Sequence, residues 1–230
     1  MKTKAMLIAA HPDDAEIAMG GTIASLLADG NEIIIVDLTN GEPTPYGSLE
    51  IRKKETEASN KILGITQRIM LDIPNREIYD SVENRKKLAN VIREHKPDVL
   101  FAPYWEDAHP DHINAYALVN SARFYSKLAK GDLQFEPHYP RKMFHYFSTH
   151  LRVKIQPSFI YDISKYFKQK MASISAYESQ FSHNPRNKNA LKLIETESAY
   201  WGAQIGVEYG EPYVCKEYIK IADSSTLLSS

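Results

Sequence analysis

The feature that most constrains this chain is a regular alternation of two hydrophobic periods from Lys4 to Tyr125. Short apolar or β-branched runs at Lys4–Ala10, Glu32–Leu38, Arg68–Leu71 and Asp98–Pro103 are too brief for helices and read as buried strands. Between them lie segments with one apolar helical face. These are Ala15–Ala28 (Met19, Ile23, Leu26, Leu27), Leu49–Leu63 and Val82–His95 (Leu88, Val91, Ile92), with a further helix over Ile113–Tyr125. Gly30 and Gly64 follow the first two as left-handed caps, and Lys96-Pro97 stops the third. Such alternation folds into a parallel sheet with helices on both faces, because the crossovers are right-handed. The expected fold class is α/β, a Rossmann-like doubly wound, mainly parallel sheet. In the common strand order 3-2-1-4 the first and fourth strands are neighbours where the winding reverses. Ligands bind beyond the carboxyl ends of the strands at that point.

Past residue 130 the pattern weakens. Met143–Phe147 and Phe159–Ile163 read as strands, Lys165–Ser179 and Asn189–Gln204 as helices, and Tyr213–Ile221 as a final strand. No linker composition divides the chain, so one domain is expected over residues 1–222, with a tail over 223–230. The 28 Lys and Arg nearly balance 29 Asp and Glu, which leaves no basic field to attract nucleic acid or an anionic membrane. The single cysteine excludes an intrachain disulfide and a cysteine-based zinc module. The run Ala5–Ala10 is too short for a signal peptide or a membrane span. A cytoplasmic protein with a small-molecule partner is expected.

Two islands carry the chemistry. Ala10-His11-Pro12-Asp13-Asp14 follows the first strand, and Glu106-Asp107-Ala108-His109-Pro110-Asp111-His112 follows the fourth. Each sets a His three residues before another ligand-type residue, and the topology brings the two together. His and carboxylate in one cleft favour zinc or a similar divalent ion, and three protein ligands with one open position make a catalytic site. One island alone would serve equally well as a turn with an Asp helix cap. Two at the ends of neighbouring strands argue against that, and so does the pair Asp13-Asp14. Adjacent carboxylates repel unless a cation or proton separates them. A dinucleotide site would need G-x-G-x-x-G in the first turn, where this chain has His-Pro-Asp-Asp-Ala-Glu, with Gly20-Gly21 displaced into the helix. The Walker pattern is also absent.

With Glu16, Gly20-Gly21-Thr22 and His109-Pro110-Asp111-His112, the first island resembles the PIG-L/LmbE deacetylases, zinc-dependent amidohydrolases that remove acetyl from N-acetylglucosamine derivatives. Weaker similarity runs through Val36–Glu42, Ile51–Glu55, Ala176–Phe181 and Gly206–Glu211. The resemblance implies His11, Asp14 and His112 as ligands of one zinc or another divalent transition ion. It implies Asp13 as general base and His109, oriented by Asp111, as the group that polarises the acetyl carbonyl. General acid–base chemistry agrees with that division. A carboxylate beside the ion can move the water's proton to the leaving amine, and a protonated His held by a carboxylate can stabilise the oxyanion. The resemblance also implies a homo-oligomer, trimeric or hexameric, and favours N-acetylglucosaminyl-malate of bacillithiol synthesis as substrate.

Other assignments are weaker. The resemblance makes Arg52 a substrate anchor, against a solvated helix face shared with Lys53 and Glu57. Glu42 and Tyr46 are candidates for sugar hydroxyls, and His150 matches a His in some relatives. The bacillithiol branch carries Arg just before His-Pro-Asp-His, where this chain has Ala108. Part of a carboxylate clamp is then missing, and a chitooligosaccharide or other neutral amino-sugar becomes the alternative. Asn189 or Ala190 falls where relatives place a tyrosine. A non-catalytic sugar- or metal-binding module is the other class of reading, and it requires a closed metal site or a disabled base.

Overall fold

The computed structural model describes residues 2–148 and 155–220. The tail expected over 223–230 lies outside them. Strands β1 (Lys4–Ala9), β2 (Glu32–Asp37), β3 (Gln67–Met70), β4 (Val99–Pro103), β5 (Lys142–Tyr146), β6 (Phe159–Asp162) and β7 (Gly210–Val214) form one sheet in the order β3-β2-β1-β4-β5-β7-β6. The pairs from β3 to β5 are parallel, and β7 runs antiparallel between β5 and β6. The sheet is therefore mixed at one edge, and β1 lies beside β4 as the 3-2-1-4 order requires.

The period of two decides which side chain faces which helices. In β1 and β2, Met6, Ile8, Ile34 and Val36 enter one core with α3 (Val82–His95) and α4 (Pro110–Ser126), through Leu88, Ile92, Leu118 and Val119. Their neighbours Ala5, Leu7, Ile33 and Ile35 face the other way, onto Met19 and Ile23 of α1 (Asp14–Ala28) and Leu63 of α2 (Leu49–Leu63). Both faces of the central strands are covered, which is why those strands read as continuous apolar runs. Gly64 closes α2 at φ 84°, as its position predicted. No helix among the described residues is long and apolar enough to cross a membrane.

The glycine pair in α1 serves packing. The helix breaks at Met19 (φ −146°, ψ 27°), and its second half starts afresh. There the N–H groups of Gly21 and Thr22 donate to the buried Glu211 carboxylate at 3.0 and 2.8 Å, while Lys170 Nζ lies 2.5 Å from it. A Cβ on Gly21 would sit 2.6 Å from Ile163.

Three elements differ in extent from expectation. Helix α4 begins at Pro110, not Ile113, because Pro lacks the N–H that a first helical position cannot use and His109 caps the turn. Helix α5 (Phe167–Ser175) stops short of Ser179. The chain leaves it so that Ser179 N–H and Oγ–H reach Glu55 at 2.6 and 2.8 Å and Tyr177 Oη–H reaches Glu16 at 2.9 Å. Strand β7 starts earlier and ends at Val214. Beyond it Lys216 and Glu217 turn to Tyr116 and Arg123 of α4. The last helix, α6, covers Ala190–Gln204.

Candidate active site

Because β1 pairs with β4 in parallel, the segments after Ala9 and Pro103 open on the same sheet edge. The His11 ring stands 4.9 Å from that of His109 and 5.5 Å from that of His112, and the last two stack at 4.9 Å. Two conformational choices bring this about. Asp13 adopts φ 108°, a region L-residues rarely enter and one that costs on the order of 1–3 kcal/mol. Arg52 over-determines it: one Nη1 donates to both Pro12 O and Asp13 Oδ2 at 3.0 Å. In α4 the His109 cap places Asp111 and His112 in the first turn.

Among the described residues, two donor triads have ligand atoms within 4.8 Å of one another: His11–Asp14–His112 and His11–His109–Asp111. Hydrogen bonding favours the first. His11 Nε2–H donates to Asp111 Oδ2 at 3.0 Å, which turns Nδ1 toward Asp14 Oδ2 at 3.4 Å. His112 Nδ1–H donates to Asp107 Oδ2 at 2.9 Å, which turns Nε2 toward Asp14 Oδ1 at 3.4 Å. Each ring thus keeps one nitrogen on a carboxylate and presents the other to Asp14, the arrangement that fixes the tautomer of metal-binding histidines. The charges agree. Burial opposes charge on His11 and His112, yet Asp111, Asp14 and Asp107 outweigh it and push the rings up to about 9 and about 10. The carboxylates here demand positive charge, and two nitrogens with one carboxylate suit a dication that keeps coordination positions open. Ser148 Oγ–H also donates to Asp107. Asp107→Asn is expected to weaken metal affinity about 10–100-fold, read by competition with a chelator. Unaltered affinity would remove Asp107 as the orienting partner of His112.

Asp13 stands beside this triad without belonging to it. Burial raises its carboxyl, Arg52 pulls it back, and Asp14 raises it again, to about 7. Arg52 is 4% exposed, so the solvated-face reading fails. The anchor reading also changes, because its guanidinium is taken by Asp13, Pro12 O and, through Nε at 3.3 Å, Glu42. The Asp111 carboxylate accepts from His11 and from the Arg76 amide at 2.9 Å, so it bears on the His11 ring as well as lying near His109. The Asp111 main-chain N–H donates to His109 Nδ1 at 3.2 Å, which leaves the ring proton on Nε2. Burial, then His112 and His11, push His109 down to about 4, so it is neutral near pH 7 rather than protonated.

His11, Asp13, Asp14, His109 and His112 line a cavity of about 590 Å³ together with Thr44, Arg52, Gln180, Phe181, Arg186 and Leu193. Glu42 and Tyr46 are not among its lining residues. Glu42 accepts from Thr44 N–H at 2.6 Å and from Arg52, and Tyr46 is half exposed on its loop. His150 lies outside the described residues. Asp107, Ser148 and Arg76 were missed. Asp107 carried a signal, since an Asp two residues before a capping His accepts its N–H, here at 2.7 Å. Arg76 carried none, because its contribution is a main-chain amide.

Comparison with known proteins agrees with the geometry. The sequence profile of the PIG-L family (GlcNAc-PI de-N-acetylase) matches residues 6–123. A diacetylchitobiose deacetylase of Thermococcus kodakarensis is 31% identical over 225 residues, covering 90% of this chain and 81% of that protein. Among solved structures, the conserved protein TT1542 of Thermus thermophilus superposes with a TM-score of 0.88 at 36% identity, covering 96% of this chain and 97% of that one. The N,N'-diacetylchitobiose deacetylase of Pyrococcus horikoshii, complexed with the inhibitor MPG, gives 0.78 at 29% identity, covering 92% and 82%. With that coverage, and with both His-Pro-Asp segments lining one cavity, this chain belongs to the PIG-L family and is a deacetylase, a hydrolase of N-acetyl amide bonds.

Proposed function

We propose that the chain removes the acetyl group from an N-acetylglucosaminyl substrate, with zinc or a similar divalent transition ion held by His11, Asp14 and His112. One observation carries this reading: a His–Asp–His donor set and a carboxylate outside it, Asp13, line one cavity. A bound dication supplies Lewis acidity, which acidifies a water and draws electron density from an amide carbonyl. The protein's own groups do the rest. Asp13 takes a proton as the water oxygen attacks the carbonyl carbon. It returns that proton to the amine nitrogen as the C–N bond breaks, so acetate and a free amine leave. A carboxyl tuned to about 7 can do both near neutral pH. Arg52 holds Asp13 in its unusual backbone conformation and balances its charge. His109 Nε2–H donates to the oxygen on which negative charge develops.

Two finer substrates stand behind this reading: N-acetylglucosaminyl-malate, from the family resemblance, and a chitooligosaccharide, supported by the Thermococcus relative. Acetate release from N-acetylglucosamine, its malate glycoside and diacetylchitobiose tests both. The expected result is release that a chelator abolishes and added zinc restores. No acetate from any of the three would overturn the proposal.

A further inference from the structure

One buried guanidinium serves two carboxylates of different standing. Arg52 Nη1 donates to Pro12 O and Asp13 Oδ2, both at 3.0 Å, and Arg52 Nε donates to Glu42 Oε1 at 3.3 Å. Asp13 and Arg52 line the main cavity and Glu42 does not, so a ligand there meets the first two and not the third. Asp13 depends on this guanidinium. It is the N-cap of α1, yet its side chain makes no cap bond, and among the described residues the donor to its carboxylate is Arg52.

Glu42 is itself firmly held. Thr44 N–H donates to Oε2 at 2.6 Å, and Thr44 Oγ1 lies 2.9 and 3.0 Å from the two carboxylate oxygens. The loop between β2 and α2 is fitted around these groups. A Cβ on Gly47 would sit 2.3 Å from Glu42 Oε1, and one on Gly41, at φ 76°, would sit 3.1 Å from Pro12 Cδ and 3.5 Å from Arg52 Cζ. Each partner that the Glu42 oxygens meet among the described residues is a donor, so the site requires two acceptors and has no place for an amide N–H.

We propose that Glu42 is a positioning residue for the deacetylation: by fixing the Nε edge of Arg52 it sets where Nη1 sits, and so aims the Asp13 carboxylate. The inference rests on Asp13 being the base of the reaction proposed above. A guanidinium is planar and rigid, so an acceptor on Nε fixes the direction of the Nη1 hydrogens. Without Glu42, a buried Nε–H would be left unpaired, and the guanidinium would turn toward another acceptor. Such errors are costly at a reacting group, where a displacement of about 1 Å can lower a rate by about 100-fold.

A double-mutant cycle tests this on metal-loaded protein, with N-acetylglucosamine and diacetylchitobiose as probes. Glu42→Gln is expected to lower kcat about 10–100-fold, with KM within about threefold of wild type and metal content unchanged. In an Arg52→Gln background the same substitution should change kcat by less than about twofold, because its effect passes through Arg52. If Arg52→Gln does not fold, Arg52→Lys takes its place in the cycle. Equal fold-losses in the two backgrounds overturn the proposal, and so does wild-type kcat in the single variant. No acetate from the wild-type protein overturns the proposed function instead. A crystal structure of Glu42→Gln then decides the positioning role: Arg52 Nη1 is expected beyond hydrogen-bonding distance of Asp13 Oδ2, and an unmoved Arg52 overturns it.

Discussion

Asp13→Asn is expected to lower kcat by about 10²–10⁴-fold, the usual contribution of a general base, while metal content per chain stays at the wild-type level. The two readouts separate because the proposed ligands and the proposed base are different residues: Asp14 faces His11 and His112, whereas Asp13 faces Arg52. Asn keeps the shape and one acceptor for Arg52 but cannot take a proton from water. It also tolerates positive φ better than most residues, so the backbone at φ 108° is not put at risk. Thermal stability should fall only slightly, because Arg52 loses one charged partner but keeps Glu42 and Pro12 O. The wild-type pH profile follows from the same residue. The base must be ionised; burial raises its carboxyl, while Arg52 and a bound cation favour the ionised form, so kcat/KM should decline on the acid side of the profile. Near-wild-type turnover with normal metal content would remove Asp13 from the chemistry. Loss of metal along with turnover would make it a ligand.

What could be read from the chain alone follows from which interactions are local. The central strands were legible because burial on both faces leaves unbroken β-branched runs, as in Ile33–Val36, and their order is the common 3-2-1-4 of doubly wound sheets. The clustering of His11, Asp14, His109 and His112 was legible because each island keeps two ligand-type residues three apart and β1 lies beside β4, whereas the choice of three among them came from the family resemblance alone. Arg52 was harder. Its partners Pro12 and Asp13 lie about 40 positions away, and periodicity showed only that it begins a helix on the right sheet edge. Which ring the Asp111 carboxylate accepts from was not legible, since three histidines pack within 5.5 Å of one another and only geometry picks out His11. The end of α5 and the start of β7 depend on Ser179 and Glu211 finding partners on α2 and α1. Helix and strand patterns carry no trace of such pairings.

Arg68→Met is expected to destabilise the fold by about 3–5 kcal/mol, the cost of stranding buried charge when one partner of an ion pair is removed. At this chain length that corresponds to a melting temperature lower by roughly 6–20 °C. Arg68 bonds two fully buried carboxylates. Nε and Nη2 hold Asp37 at 2.6 and 3.0 Å, and Nη1 holds Glu16 at 2.6 Å. Ser59 and Tyr177 also donate to Glu16 Oε1, while Glu16 Oε2 has no partner among the described residues. Burial works against both carboxylates. Arg68 overcomes it at Glu16, which is held low, and not fully at Asp37, which stays raised. Without the cation, burial raises both. Groups raised in the folded state contribute stability at low pH that is lost as pH rises through their folded pKa. The deficit of Arg68→Met should therefore be smallest near pH 5 and grow toward pH 8. Adding Glu16→Gln and Asp37→Asn should return much of the loss, because it removes the stranded charges rather than a contact. A deficit under about 1 kcal/mol, or one that is flat with pH, would show that water reaches these carboxylates. Glu16 lies only two residues beyond Asp14, so the same variant should also loosen metal binding, as helix α1 carries both residues and positions the ligand from its first turn.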